Sequence, residues 1–259
     1  MPDLTRYEVD RAIATVTLDS PENRNALSAA LVGELGEHLR AAAEDTTVRA
    51  VVLTHTGSTF CAGADLREAT AEGGPELGTL RMLGLLRSII EVPKPVVARI
   101  DGAARAGGLG VVGACDIAVA SPEASFAFTE VRLGLAPAII SLTTLGRMSE
   151  RAAARYYLTG ERFDAAAAAA AGLITIAAQD LDAEVAALTD ALRQCSPQGL
   201  AETKPLTTHR ARAAFAQFAD EVQAQSSRLF ASAEAKEGML AFLQKRPPRW
   251  ATDAVSGSP

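Results

Sequence analysis

Residues 101–116 read DGAARAGGLGVVGACD, and four of the first ten positions, 102, 107, 108 and 110, are glycine. The apolar run at 96–100 before this stretch predicts a strand, and the apolar residues after it predict a helix up to Cys115. Glycine lets a backbone approach a ligand closely or adopt a positive φ. A strand that ends at glycines and continues as a helix leaves N–H groups unpaired at the helix start, where they can bind a negatively charged oxygen. From spacing alone, a tight turn packed only for shape explains the pattern equally well.

A second loop precedes the glycine-rich stretch. Residues 50–66 read AVVLTHTGSTFCAGADL, which predicts a buried strand at 50–53, a turn around Gly57 and then the segment FCAGADL. Together the two stretches resemble the crotonase family, also called the enoyl-CoA hydratase/isomerase superfamily. Its pattern is F-x-A-G-[AG]-D-[LI], followed by G-x-[AV]-x-G-G-G-x-x-L-x-x-x-C-D. The matching residues are Phe60, Ala62, Gly63, Ala64, Asp65, Leu66, Gly102, Ala104, Gly107, Gly108, Cys115 and Asp116, and the resemblance extends over residues 5–250.

The resemblance implies an α/β fold of the crotonase type. A β-β-α spiral core at residues 1–196 is expected to carry the acyl-CoA site. A C-terminal helical region at 197–250 is expected to build homotrimers, or hexamers made of two trimers, and residues 251–259 to form a flexible tail. The pattern of the chain fits this division, because strands and helices alternate up to Pro137 and nearly everything after it is helical by periodicity.

Composition limits the partners and the compartment. The chain has 259 residues and a formal net charge of −6, which argues against nucleic acid or an anionic membrane as its main partner. No apolar run is long enough to span a membrane. The three cysteines are too few for a disulfide framework, so we expect a cytoplasmic protein. The three histidines show no metal-ligand spacing, and no metal site is expected. The resemblance implies no cofactor, because a coenzyme A thioester is the substrate.

The family's chemistry needs hydrogen-bond donors for the thioester oxygen, which gains negative charge as an enolate forms. Two preorganised backbone N–H groups can stabilise that charge. The resemblance assigns this catalytic role to the N–H groups of Ala64 and Gly107, and it implies a place in fatty acid metabolism. Ala106 stands where the family has the first glycine of G-G-G. Its methyl group is expected to crowd the turn and to narrow the range of φ and ψ.

The proton-transferring residue is expected in the segment ASFAFTEVRLGLAP at 124–137. This segment resembles the one that carries a catalytic glutamate in the family, and Glu130 falls on that position. Burial among Phe126 and Phe128 would raise the pKa of its carboxyl toward the working range. The alternative is a surface pair between Glu130 and Arg132 at a strand end, since residues two apart share a face of an extended chain.

Gly110 stands where the usual hydratase of the family has a second glutamate. Two carboxylates make addition of water easiest, whereas one is sufficient to move a proton between carbons. Some bacterial members named hydratases also have glycine at this position. The predicted activity is therefore hydration of a 2-enoyl-CoA to a 3-hydroxyacyl-CoA. The alternatives are double-bond isomerisation by Glu130 alone and a non-catalytic acyl-CoA-binding or scaffold protein.

The resemblance also assigns the residues that contact the substrate. Arg24 lies in a P-x-x-x-N-A-L segment, although a solvated loop arginine is the simpler interpretation from the residues alone. Phe242 and Lys245 lie in an A-F-x-x-K-R segment that reaches the CoA of a neighbouring subunit in the family. The full predicted set is Arg24, Ala26, Cys61, Ala62, Ala64, Asp65, Leu66, Ala106, Gly107, Gly110, Glu130, Leu133, Phe242 and Lys245.

Several local structures are predicted from pattern. Ser28 is expected to cap a helix whose apolar positions are Leu31, Leu35 and Leu39. Residues 67–78 are polar and glycine-rich, which predicts a mobile segment beside the site, and the periodicity at 80–90 predicts a helix.

Overall fold

The strands of the chain belong to two sheets that alternate along the sequence. The computed structural model describes residues 3–69 and 74–251. The strands are β1 (Thr5–Asp10), β2 (Ile13–Leu18), β3 (Ala50–His55), β4 (Thr59–Cys61), β5 (Val96–Ile100), β6 (Ala103–Arg105), β7 (Ile117–Ala120), β8 (Ser125–Ala127), β9 (Phe163–Asp164) and β10 (Ile176–Ala177). One sheet has the order β1-β2-β3-β5-β7-β10 and the other has the order β4-β6-β8-β9.

Helices follow the strands and dominate the C-terminal part. They are α1 (Ala29–Glu44), α2 (Leu66–Ala69), α3 (Gly74–Glu91), α4 (Gly107–Ala114), α5 (Ala138–Thr144), α6 (Glu150–Thr159), α7 (Ala165–Ala171), α8 (Leu181–Arg193), α9 (Pro197–Thr207), α10 (His209–Phe230) and α11 (Ala233–Leu243), with short 3-10 helices at Pro21–Asn23 and Thr129–Leu133. Among the described residues, no helix combines the length and the apolar character that crossing a membrane requires.

Each turn of the fold places one strand in each sheet before the next helix begins. β3 and β4 precede α2 and α3, β5 and β6 precede α4, and β7 and β8 precede the 3-10 helix and α5. Neighbouring strands are parallel, except for the β1–β2 hairpin and the β8–β9 pair. This is the expected β-β-α spiral of an α/β fold, followed by the expected helical C-terminal region.

Local sequence signals account for α1 and for the two-sided burial of the first sheet. The Ser28 hydroxyl accepts the Leu31 N–H and so caps α1, as predicted. The side chains of β3 alternate between two cores, because successive strand residues face opposite sides. Val51 belongs to the main core under the helices, whereas Val52 belongs to a smaller core with Val185 of α8.

Two predictions about local structure are wrong. The first concerns residues 67–78, where no helix is predicted: the segment is helical at 67–69 and 74–78, and residues 70–73 lie outside the described part of the chain. Helix α3 therefore begins at Gly74, before the predicted start at residue 80, because a polar helix turn has no apolar periodicity to detect. The glycine-rich stretch does not pass directly from strand to helix either, since β6 lies between β5 and α4.

The C-terminal helices are tied to the spiral by a buried ion pair. The Lys204 ammonium of α9 lies 2.9 Å from the Asp116 carboxylate at the end of α4. It also donates to the carbonyl oxygens of Ile89 and Lys94. The division at residue 196 stays a prediction, and the predicted tail, apart from Ala251, lies outside the described residues.

Candidate functional site

Two glycine-containing loops meet at the start of α4. Gly63 has a φ of +92°, and a Cβ atom there would lie 3.0 Å from the Arg105 carbonyl oxygen and 3.1 Å from the Gly107 nitrogen. The Gly63 carbonyl oxygen accepts the N–H of Leu27, and Leu27 pairs with Ala64 in an isolated bridge. The absence of a side chain at Gly63 therefore allows the backbone at 63–64 to lie directly against the helix start.

This contact leaves two backbone donors unused. Within the described part of the chain, the N–H groups of Ala64 and Gly107 donate to no acceptor. Both residues line one cavity of about 540 Å³. Gly107 is the first residue of α4, where the helix dipole adds positive potential. The geometry can therefore accept a negatively charged oxygen from a ligand.

Ala106 holds the turn before α4 in an uncommon conformation. Its φ of 46° and ψ of −120° lie in a region that residues with a Cβ rarely adopt. The Ala106 N–H donates to the Ala127 carbonyl oxygen of β8 at 3.1 Å, which fixes the turn. The expected crowding at this alanine is present as backbone strain.

Glu130 is a buried carboxyl without a hydrogen-bond partner on one oxygen. It lies in the 3-10 helix after β8, the residue is 9% exposed, and it lines the same cavity. Its Oε2 finds no partner in the described residues. Burial raises the pKa of Glu130 to about 7. The predicted alternative of a surface pair with Arg132 is wrong, because Arg132 is directed to the carbonyl oxygen of Thr159.

Gly110 packs against Ile140, whose side chain forms part of the cavity wall. A Cβ atom at Gly110 would lie 2.4 Å from Cγ2 and 2.9 Å from Cβ of Ile140. Ile140 lines the cavity, whereas Gly110 does not. An apolar side chain thus fills the space next to the helix where a side chain at position 110 would lie.

Most residues of the predicted substrate set line this cavity. They are Arg24, Ala26, Ala62, Ala64, Asp65, Leu66, Ala106, Gly107, Glu130, Leu133 and Phe242. Three do not. Gly110 packs against Ile140, and Cys61 is wholly buried, with its thiol accepting the Gly63 N–H. Lys245 is exposed just after α11, with a φ of 53°.

Burial also explains why Cys61 is chemically inert here. Burial raises the pKa of its thiol to about 12, so the thiolate is not formed near neutral pH. A Cβ atom at Gly108 would lie 2.6 Å from the Cys61 carbonyl oxygen. Cys61 is therefore a packing partner of α4 instead of a substrate contact.

Some lining residues were not predicted. Met82 and Ile140 line the cavity from α3 and α5, where only helix periodicity could have suggested a buried face. Arg105 and Arg162 line it from β6 and from the residue before β9. Asn25 supports the loop that carries Arg24, because its amide donates to the carbonyl oxygens of Thr56 and Thr59.

Two other classes of site are not supported. Residues 108–113 read GLGVVG and have the G-x-G-x-x-G spacing of a dinucleotide-binding loop, but they lie inside α4 and are buried. In residues 3–69 and 74–251, no group of His, Cys, Asp and Glu side chains is arranged to hold a metal ion.

Comparison with known proteins identifies the family. The sequence model described as enoyl-CoA hydratase/isomerase matches residues 8–253. The crystal structure of an enoyl-CoA hydratase from Mycobacterium avium is 54% identical, has a TM-score of 0.90, and covers 96% of this chain and 100% of that chain. A carnitinyl-CoA hydratase from Mycobacterium avium is 28% identical, with a TM-score of 0.84 and coverage of 97% and 100%. A protein of Rhodobacter capsulatus described as a probable enoyl-CoA hydratase is 37% identical over an alignment of 261 positions, which covers 95% of this chain and 96% of that protein. The chain belongs to the enoyl-CoA hydratase/isomerase family.

Proposed function

We propose that the chain adds water to the double bond of a 2-enoyl-CoA thioester, giving the 3-hydroxyacyl-CoA. One observation carries this proposal. The carboxyl of Glu130, with one unpartnered oxygen, lines the same cavity as the residues of the two unused N–H groups, Ala64 and Gly107. The relatives named as hydratases also support it. The reaction needs no cofactor, since the CoA thioester is itself the substrate.

The proposed mechanism uses a single carboxylate for both proton transfers. Ionised Glu130 removes a proton from water as the water oxygen bonds to C3 of the enoyl group. The π electrons move through C2 to the thioester oxygen, and the N–H groups of Ala64 and Gly107 stabilise the resulting enolate. Protonated Glu130 then returns its proton to C2. A pKa of about 7 suits both steps, because acid and base forms are both accessible near neutral pH.

Isomerisation of a 3-enoyl-CoA is the second candidate, and the packing at Gly110 favours it. Ile140 fills the space beside Gly110, so the cavity wall is apolar where a second carboxylate would hold water. In that reaction Glu130 removes a proton from C2, the same N–H pair stabilises the dienolate, and Glu130 delivers the proton to C4. The double bond becomes conjugated with the thioester.

Ultraviolet absorbance of matched 2-enoyl-CoA and 3-enoyl-CoA thioesters distinguishes the candidates. We expect loss of conjugated absorbance with the 2-enoyl substrate, and a fall of about 10²–10⁴-fold in rate for Glu130→Gln. Glu37→Gln, an exposed position on α1, is the matched control. Gain of absorbance with the 3-enoyl substrate alone would assign an isomerase. Binding of acyl-CoA without turnover of either substrate would assign a non-catalytic binding protein.

The expected assembly is also a proposal. The family resemblance implies a homotrimer or a pair of trimers, in which Phe242 and Lys245 reach the CoA of a neighbouring subunit. Phe242 is 49% exposed in the single chain, which leaves it available for such a contact. Light scattering of the purified protein measures the mass of the assembly.

A further inference from the structure

One wall of the cavity is built from arginines. Arg105, Arg132 and Arg162 all line the cavity that contains Glu130, and we refer to them as the arginine wall. Within residues 3–69 and 74–251, no carboxylate lies within ion-pair distance of any of the three. Adjacent like charges without a counterion are unfavourable, and they are typical of a site that binds an anion.

Sheet register places two of these arginines on the same face. Arg105 at the end of β6 pairs with Ala127 at the end of β8. β8 and β9 are antiparallel, with Phe126 opposite Phe163, so continuing the register brings Ala127 opposite Arg162. Residues in register across a sheet share one face. Arg105 and Arg162 therefore flank the small side chain of Ala127, which leaves a notch between two guanidinium groups.

The charge of Arg162 also acts on Arg105. Burial, and next the charge of Arg162, lower the pKa of Arg105 to about 10. The Arg105 guanidinium is fixed by hydrogen bonds to the Ala104 and Ser125 carbonyl oxygens and to Ser125 Oγ. Its Nε–H has no acceptor in the described residues, and Arg162 is exposed. The notch is thus preorganised and can accept a planar anion such as a carboxylate.

The position of the arginine wall indicates which part of the substrate would meet it. Arg105 lies two residues before Gly107, and Ala127 lies three residues before Glu130. The carboxyl ends of the parallel strands β6 and β8 lie at one edge, so the wall borders the proposed thioester oxygen and the proposed base. The family resemblance implies that the CoA moiety lies beside Arg24 and Asp65, which line the cavity from segments other than those of the arginine wall. An anion on the arginine wall would therefore belong to the acyl group.

We propose that the substrate's acyl group ends in a carboxylate, which Arg105 and Arg162 bind in the notch beside Ala127. This inference rests on the proposed enoyl-CoA activity and specifies its substrate as the thioester of a dicarboxylic acid. A purely hydrocarbon acyl chain would cover the guanidinium groups without pairing them, which costs free energy. The phosphates of CoA share the chemistry that arginine recognises and are the competing source of the anion.

The test uses pairs of 2-enoyl-CoA thioesters of equal chain length, one with a terminal carboxylate and one with a terminal methyl group. The variants are Arg105→Met and Arg162→Met, with Arg40→Met on the exposed face of α1 as matched control. We expect the unchanged protein to prefer the carboxylated thioester. Each wall variant should lose roughly tenfold to hundredfold in kcat/KM for that substrate and keep or raise its kcat/KM for the neutral one. Arg162 is exposed, so its substitution tests the proposal even if Arg105→Met does not fold.

Binding of the saturated, unreactive thioesters separates this inference from the proposed reaction. Preferential binding of the carboxylated thioester, lost in both wall variants, supports the arginine wall even without turnover. Turnover of the neutral thioester with no preference overturns the inference and leaves the proposed function intact. Equal weakening of both thioesters and of free CoA would assign the arginines to the CoA phosphates. Dissociation of the assembly in both variants would assign the two arginines to a subunit contact. Assignment to the CoA phosphates and assignment to a subunit contact both overturn the inference.

Discussion

Buried polar groups normally have hydrogen-bond partners, and Glu130 departs from this rule. The departure lowers the stability of the folded state. Glu130 lies buried in the 3-10 helix that follows β8, and one carboxyl oxygen has no hydrogen-bond partner in the described residues. Burial raises the pKa because the ionised form loses hydration. Local conflicts of this kind are expected at functional sites, where they reduce stability in exchange for chemistry.

The first prediction concerns stability as a function of pH. The Glu130 carboxyl ionises near 4.5 in the unfolded chain and near 7 in the folded one, so the folded state holds the extra proton between these values. Stability contributed by this group therefore falls as pH rises through that window. Between pH 5 and pH 8, the free energy of unfolding of the unchanged protein should fall by about 2–3 kcal/mol relative to that of Glu130→Gln. Urea unfolding of both proteins measures this difference, and a gap that does not change with pH would contradict the raised pKa.

Ala106 provides a second prediction at the residue scale. Its φ of 46° and ψ of −120° suit glycine, and strain of this kind costs about 1–3 kcal/mol. Ala106→Gly relieves that strain. It also raises the conformational entropy of the unfolded chain, which cancels about 0.4–1 kcal/mol of the stabilisation. We expect a net gain of up to about 2 kcal/mol in unfolding free energy. Activity should be retained because the Gly107 N–H is unchanged. Lower stability in the glycine variant would show that the turn is not strained.

Helices α4 and α5 pack closely together at the glycines of α4. Gly110 packs on Ile140, and a Cβ atom at Gly113 would lie 2.8 Å from the Thr143 carbonyl oxygen. The Thr143 hydroxyl donates to the Gly110 carbonyl oxygen at 2.9 Å. Glycine costs helix propensity, so its use in α4 follows from this close approach. The packing fixes the helix whose first N–H faces the cavity.

A double-mutant cycle tests this contact. Gly110→Ala places a methyl group 2.4 Å from Ile140 Cγ2, and overpacking of this kind costs about 1–3 kcal/mol. Ile140→Ala removes the clash but leaves a cavity that costs about 2–5 kcal/mol alone. In the double variant the two changes compensate, so its loss should be smaller than the sum by about 1–3 kcal/mol. Strict additivity, measured by chemical unfolding, would show that the two side chains are independent.

How far the sequence could predict the site depends on whether the signal is local. The Ala64 and Gly107 donors lie in two contiguous motifs and Glu130 lies in a third, so the resemblance of these motifs to the family predicted three residues that line one cavity. The arrangement of Arg105 and Arg162 depends on strand register across residues far apart in the chain. Ile140 likewise reaches Gly110 from another helix, and no local pattern carries that contact.

At the scale of the whole molecule, the C-terminal helices complete the spiral instead of forming a separate core. Phe215 of α10 belongs to the main core, and the guanidinium of Arg87 in α3 lies 5.5 Å from its ring centroid. Lys204 of α9 is only 3% exposed and reaches Asp116 at the end of α4. Motion of the C-terminal helices should therefore be coupled to the helix that begins the proposed site.

The ion pair between Lys204 and Asp116 gives the last prediction. Lys204→Met puts an apolar side chain of similar length in place of the lysine and leaves the buried Asp116 carboxylate without its counterion. Oδ1 of Asp116 already has no partner in the described residues. Breaking one side of a buried pair costs about 3–5 kcal/mol. Asp116→Asn combined with Lys204→Met removes both charges and should restore part of that loss. Urea unfolding of the single and double variants measures the difference. Equal stability of the two would mean that the buried charge is solvated and that this pair does not hold the two parts together.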